Sequence, residues 1–199
     1  MAELAPPAHP GLRHRLREKL PEILIEAGSV VLALLLALAV NEWHDRQQEE
    51  ERADAARSAI LAELRANQQE LEVKRNELKD IIASLNAARD TSKPEVHEMK
   101  VNLSLSLLSA AAWHASLATQ ASRRIDFAWI TRIAKVYELQ DNLLRIQNAA
   151  VDQLASLTPD DTRTAPQIAS ALLPRFQVLD QLTDGLVHAY ADALDAKSP

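Results

Sequence analysis

The sequence predicts an all-α protein: an N-terminal transmembrane helix that continues into a long helix, plus a bundle of about four helices. Three observations predict this. Only 3 of 199 residues are Gly and 9 are Pro, and the Ala, Leu, Glu, Gln and Arg that dominate are helix formers. Residues 23–40 form an unbroken apolar run, and from residue 60 onward apolar residues recur at helical spacing. The organisation read from this is a basic tail at 1–22, a span at 23–40, a long amphipathic helix at 41–91 and the remaining helices at 92–199.

The apolar run reads ILIEAGSVVLALLLALAV, with Glu26 its one charge. Eighteen residues at 1.5 Å each make a helix of about 27 Å, close to the thickness of a bilayer core. Trp43, just beyond its end, suits an interfacial aromatic belt. A core helix of a small protein would show a polar face, and this run has none. Ala37-Leu38-Ala39 also reads as a signal-peptidase site, but a leader of 22 residues, a carboxylate inside the run and its length all argue for an uncleaved span. Arg13, Arg15, Arg17 and Lys19 precede the run, whereas positions 41–50 contain only Arg46. The positive-inside rule then predicts a cytoplasmic N-terminus and an exported remainder.

Two features of the span are candidate functional residues. Glu26 is an intramembrane carboxylate, which would carry protons, pair with a cation on another helix, or snorkel to the headgroups. Ser29, Ala33, Ala37 and Asn41, four apart, form a strip of small side chains along which helices associate closely in lipid.

No Gly or Pro interrupts residues 29–93, so the span is expected to run directly into a stalk. There Leu64, Leu71, Leu78 and Leu85 recur every seven residues, interleaved with Ile60, Asn67, Lys74 and Ile81. Alternating steps of four and three are those of a coiled-coil seam, and polar Asn67 and Lys74 would specify its register. The seam suits either a homotypic coiled coil or packing against later helices of the same chain. Leu61 and Ile82 widen the stripe toward the second.

Further helices follow. Ser92-Lys93-Pro94-Glu95 resembles a capping box that opens one near residue 93. Its middle, VNLSLSLL at 101–108, alternates with period two and is ambiguous with an extended stretch; helix is clearer from Ser109 to Ala121. Asp126 is placed to cap a third helix carrying Ile130, Ile133, Tyr137, Leu144, Val151 and Leu154 on one side. Thr158-Pro159-Asp160-Asp161 closes it and starts a fourth, with Ile168, Leu172, Leu179, Leu182, Leu186 and Tyr190 inward and Pro174 as a kink.

Chemistry is less legible. Net charge is −6, all of it beyond residue 40, which disfavours nucleic acid as a partner. Cys is absent, so thiolate chemistry and disulfides are excluded. The histidines (His9, His14, His44, His97, His114 and His188) form no i,i+3 or i,i+4 pair, and no Gly-rich phosphate loop or G-x-S-x-G is present. No catalytic residue, metal site or cofactor is therefore expected. Trp113, Trp129 and Tyr137 are core anchors or the lining of a pocket, with the Tyr137 hydroxyl expected to find a backbone carbonyl.

The stretch EILIEAGSVVLALLLALAVNEW at 22–43, followed by Trp113-His114-Ala115-Ser116-Leu117-Ala118-Thr119, Ile125-Asp126-Phe127 and Val136-Tyr137-Glu138-Leu139-Gln140, resembles a family of uncharacterised bacterial single-pass membrane proteins. These share a span ending in Asn-x-Trp, a heptad-like helix, an A-W-x-x-A-x-x-T stretch and a Y-x-L-Q stretch. The resemblance covers roughly residues 20–145. It implies a bacterial inner-membrane protein with a periplasmic helical domain, and no activity. Family members commonly carry Gly after the Thr, where this chain has Gln120. The expected function is that of a non-enzymatic, membrane-anchored scaffold or accessory subunit that meets protein partners, its own copies included. The alternatives are a ligand-sensing bundle acting through a partner, and a subunit of an ion- or proton-linked complex using Glu26.

Overall fold

The computed structural model of the protein describes residues 12–90, 105–157 and 163–195, with side chains from residue 24 onward. The order of elements is α1 (Leu12–Arg89), α2 (Ala111–Ala118), a 3-10 turn (Ala121–Arg124), α3 (Phe127–Ala155) and α4 (Ala165–Asp195). No strand occurs among the described residues. As expected, the apolar run and the stalk belong to one helix. That helix already begins at Leu12, inside the segment read as a basic tail. The chain forms two compact units, residues 1–50 and 51–199. The capping box at 92–95, the turn at 158–161, His9, His97 and the side chain of His14 lie outside the described residues.

In the first unit, α1 has no buried face. Leu24, Val31, Leu35, Leu38 and Trp43 are all more than half exposed. The window is long and apolar enough to cross a membrane, with mean hydropathy 2.2 and none of it buried.

In the second unit the seam of α1 is covered by the chain itself. Ile60, Leu64, Asn67, Leu71, Leu78, Ile81 and Leu85 are all buried, and Leu61 and Ile82 pack at the edge of the same core. Of the two packing arrangements open to this seam, the structure contains the intrachain one. The other long helices carry matching seams. In α3 the buried positions Trp129, Ile133, Val136, Gln140, Leu143, Gln147 and Ala150 step by four and three. In α4 the same steps run through Ala169, Leu172, Phe176, Leu179, Thr183, Leu186, Tyr190 and Ala193. Three helices with one seam period share a single core, with the closest backbone approach between α3 and α4.

Contacts fix the directions. Glu63 meets Tyr137 and Asn67 meets Gln140, so α1 and α3 run parallel. Arg75 pairs with Asp184, and Gln140 meets Tyr190, so α4 returns antiparallel to both. The fourth position is filled by a composite. Residues 105–110 are not helical, and α2 follows them; this stretch descends antiparallel to α1, with Ser106 at Gln147 and Ser109 at Asn67. The result is an up-down-up-down arrangement in which one arm is part non-helical segment and part short helix.

Two local expectations need correction. The helix read at 109–121 is shorter, because α2 starts at Ala111 and stops at Thr119, with Gln120 at φ 58. That left-handed conformation ends a helix and is natural to Gly. On α3, Leu144 is only half buried and Leu143 takes the core position. The seam runs through Gln140 and Gln147, so counting apolar residues alone shifts the stripe by one. Pro174 lies inside an uninterrupted α4; beside it, the Gln153 amide donates to the Ala171 carbonyl at 3.2 Å and Arg175 donates to the Ala149 carbonyl at 2.7 Å. Asp126 does cap α3, its carboxylate accepting from the Trp129 amide at 2.8 Å.

Candidate functional site

Residues in two places carry the chemistry of this chain: the apolar window of α1 and a set of polar layers inside the bundle.

On the window, Glu26 points outward like its apolar neighbours, and its backbone carbonyl accepts the Ser29 hydroxyl at 2.8 Å. Ser29, Ala33, Ala37 and Asn41 are likewise exposed, and the Asn41 amide donates to Asp45 at 2.9 Å. Among the described residues of the first unit, nothing covers this strip.

In the bundle, the first polar layer joins one residue from each long helix. Asn67 of α1 donates to the Gln140 side-chain carbonyl at 3.1 Å, and the Tyr190 hydroxyl of α4 donates to the same oxygen at 2.7 Å. The Asn67 amide also grips Ser109, accepting from its backbone N–H at 2.9 Å and donating to its carbonyl at 2.7 Å. Gln140 adds a second donor to that carbonyl at 3.1 Å. The backbone of a non-helical segment inside a helical bundle has no partner of its own, and these amides supply one. One heptad further along, Lys74, Gln147 and Thr183 border a cavity of about 20 Å³ with Ser106. There Gln147 repeats the pattern, accepting from the Ser106 N–H at 3.0 Å and donating to its carbonyl at 3.3 Å.

Toward the other end of the seam, Glu63 is the hub. Its carboxylate accepts from the Tyr137 hydroxyl at 2.6 Å, the Ser109 hydroxyl at 2.6 Å and the Ala112 amide at 3.0 Å. Ala110, which precedes α2, offers no capping side chain. A carboxylate from another helix therefore caps α2 and faces its positive end. Burial alone would raise the Glu63 pKa; the Ser109 and Tyr137 hydroxyls, with the Ala112 and Trp113 amides, outweigh it and hold the carboxyl below its ordinary value. Burial, then the Glu63 carboxylate, pushes the Tyr137 hydroxyl up. Tyr190 rises through burial first, although a bond to Asn67 opposes it. These shifts move each group away from neutrality, opposite to the tuning that general acid–base chemistry requires.

Two of the three predicted anchors, Trp113 and Tyr137, meet here, and Trp129 lies about two turns away on α3. Trp113 stacks on Tyr137 with centroids 5.3 Å apart, and Trp129 is buried under the Arg57 guanidinium at 5.5 Å. The Tyr137 hydroxyl meets a carboxylate rather than the expected backbone carbonyl. Reading the sequence missed Glu63, Ser106, Ser109, Gln140, Gln147 and, as a polar partner, Tyr190. The available signal was the four-three spacing of α3, which places both glutamines on the seam.

An open groove of about 590 Å³ between α1 and α2 is lined by Ala55, Ala56, Ala59, Ala112 and Ala115, with Arg52 its one charged side chain. Ser116 and Thr119 also line it, and their hydroxyls donate to the Trp113 and Ala115 carbonyls of α2 at 2.7 Å each. Among the described residues no three His, Asp or Glu side chains are gathered in a way that could hold a metal ion. Comparison with protein-family models, curated proteins and solved structures gives no match.

Proposed function

We propose that this chain is a non-enzymatic, membrane-anchored scaffold or accessory subunit that presents a helical domain to protein partners, in the manner of the single-pass bacterial proteins it resembles. One observation carries the reading: an apolar helical window with no buried face adjoins, in sequence, a bundle whose interior layers at Glu63, Asn67, Gln140 and Gln147 are bonded within the bundle. The window needs an apolar medium. The Glu63, Asn67, Gln140 and Gln147 layers hold the bundle's own backbone, which favours presentation over catalysis. The basic flank at 13–19 favours a cytoplasmic N-terminus and a periplasmic bundle.

Self-association belongs to the span in this reading, since the stalk seam is already filled. The strip Ser29, Ala33, Ala37 and Asn41 supplies a face for close helix approach. Glu26, exposed on the same window, supports a second reading in which it meets a cation on a partner's helix. Cross-linking in native membranes followed by purification tests both. Recovery of defined membrane proteins, lost on Glu26→Leu or Ala33→Leu, is expected. A full chain that washes off membranes at alkaline pH would end the anchored reading.

A further inference from the structure

Residues 105–124 are attached differently from the rest of the bundle. α1, α3 and α4 each bury several large apolar side chains, among them Leu64 and Leu71, Trp129 and Ile133, and Leu172 and Phe176. Over 105–124 the buried residues are the small ones, Ser106, Ser116 and Ala121, while Leu105, Leu107 and Leu117 are exposed. Leu108 and Trp113 reach the core only from its edge. The segment is held by polar bonds instead. Gln147 takes both backbone groups of Ser106, Asn67 takes both of Ser109, and Gln140 adds a bond to the Ser109 carbonyl. An amide that donates and accepts at one residue does what a neighbouring strand does in a sheet. Glu63 then fastens the start of α2. Hydrogen bonds contribute modestly to stability, and segments with few buried apolar contacts open before the whole fold does.

We propose that Asn67, Gln140 and Gln147 line a groove of α1, α3 and α4 that binds non-helical peptide backbone, and that residues 105–110 occupy it as a strap latched by Glu63. The ligand class is a non-helical peptide with small residues three apart, as Ser106 and Ser109 are. The trans occupant this chemistry fits is the strap of a second copy, whose residues are identical. Opening leaves the three long helices together, because their seams do not depend on the strap's large side chains.

The chain has no Cys, so single introduced thiols report opening cleanly. In the full chain in detergent, Ser116→Cys places a thiol at a buried position of α2 and Ala169→Cys a control thiol at a buried position of α4, two heptads from the strap's cavity. Glu63→Gln should speed labelling at 116 at least tenfold and at 169 less than twofold. A fluorescent peptide of residues 105–119 should bind the Glu63→Gln chain at least tenfold more tightly than a scrambled peptide, and adding Gln147→Leu should remove that difference. Tyr137→Phe deletes one bond to Glu63 while keeping the ring on Trp113, and should speed labelling at 116 about threefold. Equal acceleration at both thiols, or equal binding of the scrambled peptide, would overturn the groove. Unchanged labelling at 116 in Tyr137→Phe would overturn the latch.

Discussion

Leu35 and Leu64 lie on the same helix and meet opposite surroundings. Leu35 is 57% exposed and has apolar neighbours in every direction around α1; Leu64 is fully buried and belongs to a stripe with charged residues behind it. What differs is the pattern, not the residue. An apolar helix without a polar face matches a uniform apolar medium, whereas an apolar stripe of period 3.5 matches a partner of the same period. Two stretches of one helix are thus written for two different environments.

The largest expected effects separate the two stretches. Leu71→Ala or Leu143→Ala should cost about 2–5 kcal/mol in the unfolding of the bundle, since each empties a buried site. Leu144→Ala should cost under about 1 kcal/mol, and Leu35→Ala should leave the bundle's unfolding midpoint unchanged. Denaturant titration in detergent reads all four. Equal costs at 143 and 144 would break the assignment of the seam.

Asn67→Leu comes next. In a seam between copies this change would strengthen association by removing a polar residue. Inside this bundle it strips Ser109 of two bonds and Gln140 of one, so it should destabilise by about 1–3 kcal/mol. A gain in stability would show that the layer does not form.

Acid should act on the same region. The Glu63 pKa is lowered on folding, so its contribution is fully present above the ordinary value of 4.5 and is lost as pH falls toward the folded value. The wild-type bundle should therefore lose stability below about pH 4.5, and Glu63→Gln should flatten that part of the curve. Parallel curves for the two proteins would remove Glu63 from the account. The smallest effect is at Gln120, held at φ 58. Replacing it with Gly should raise stability by about 1 kcal/mol or less, as the left-handed conformation ceases to strain a side chain.

The all-helical fold, the apolar window and the α1 seam were legible because each is a periodic property of consecutive residues. The Asp126 cap was legible for the same local reason. The layers were not. Glu63 looks like any carboxylate on a solvated helix, and its importance comes from Ser109 and Tyr137, which are 46 and 74 residues away. Gln140 and Gln147 hid the α3 seam, because polar residues at core positions defeat a count of apolar ones. The non-helical strap at 105–110 was visible only as an ambiguous alternation, since what stabilises it sits on other helices.

The central claim is that the bundle closes on itself and needs lipid only at the apolar window. Residues 51–199 prepared alone, compared by analytical ultracentrifugation and circular dichroism with the full chain in detergent, test it most directly. The account predicts a soluble, helical monomer at micromolar concentration, with the bundle's unfolding midpoint retained. A fragment that is unfolded, or helical only as an oligomer, would contradict it.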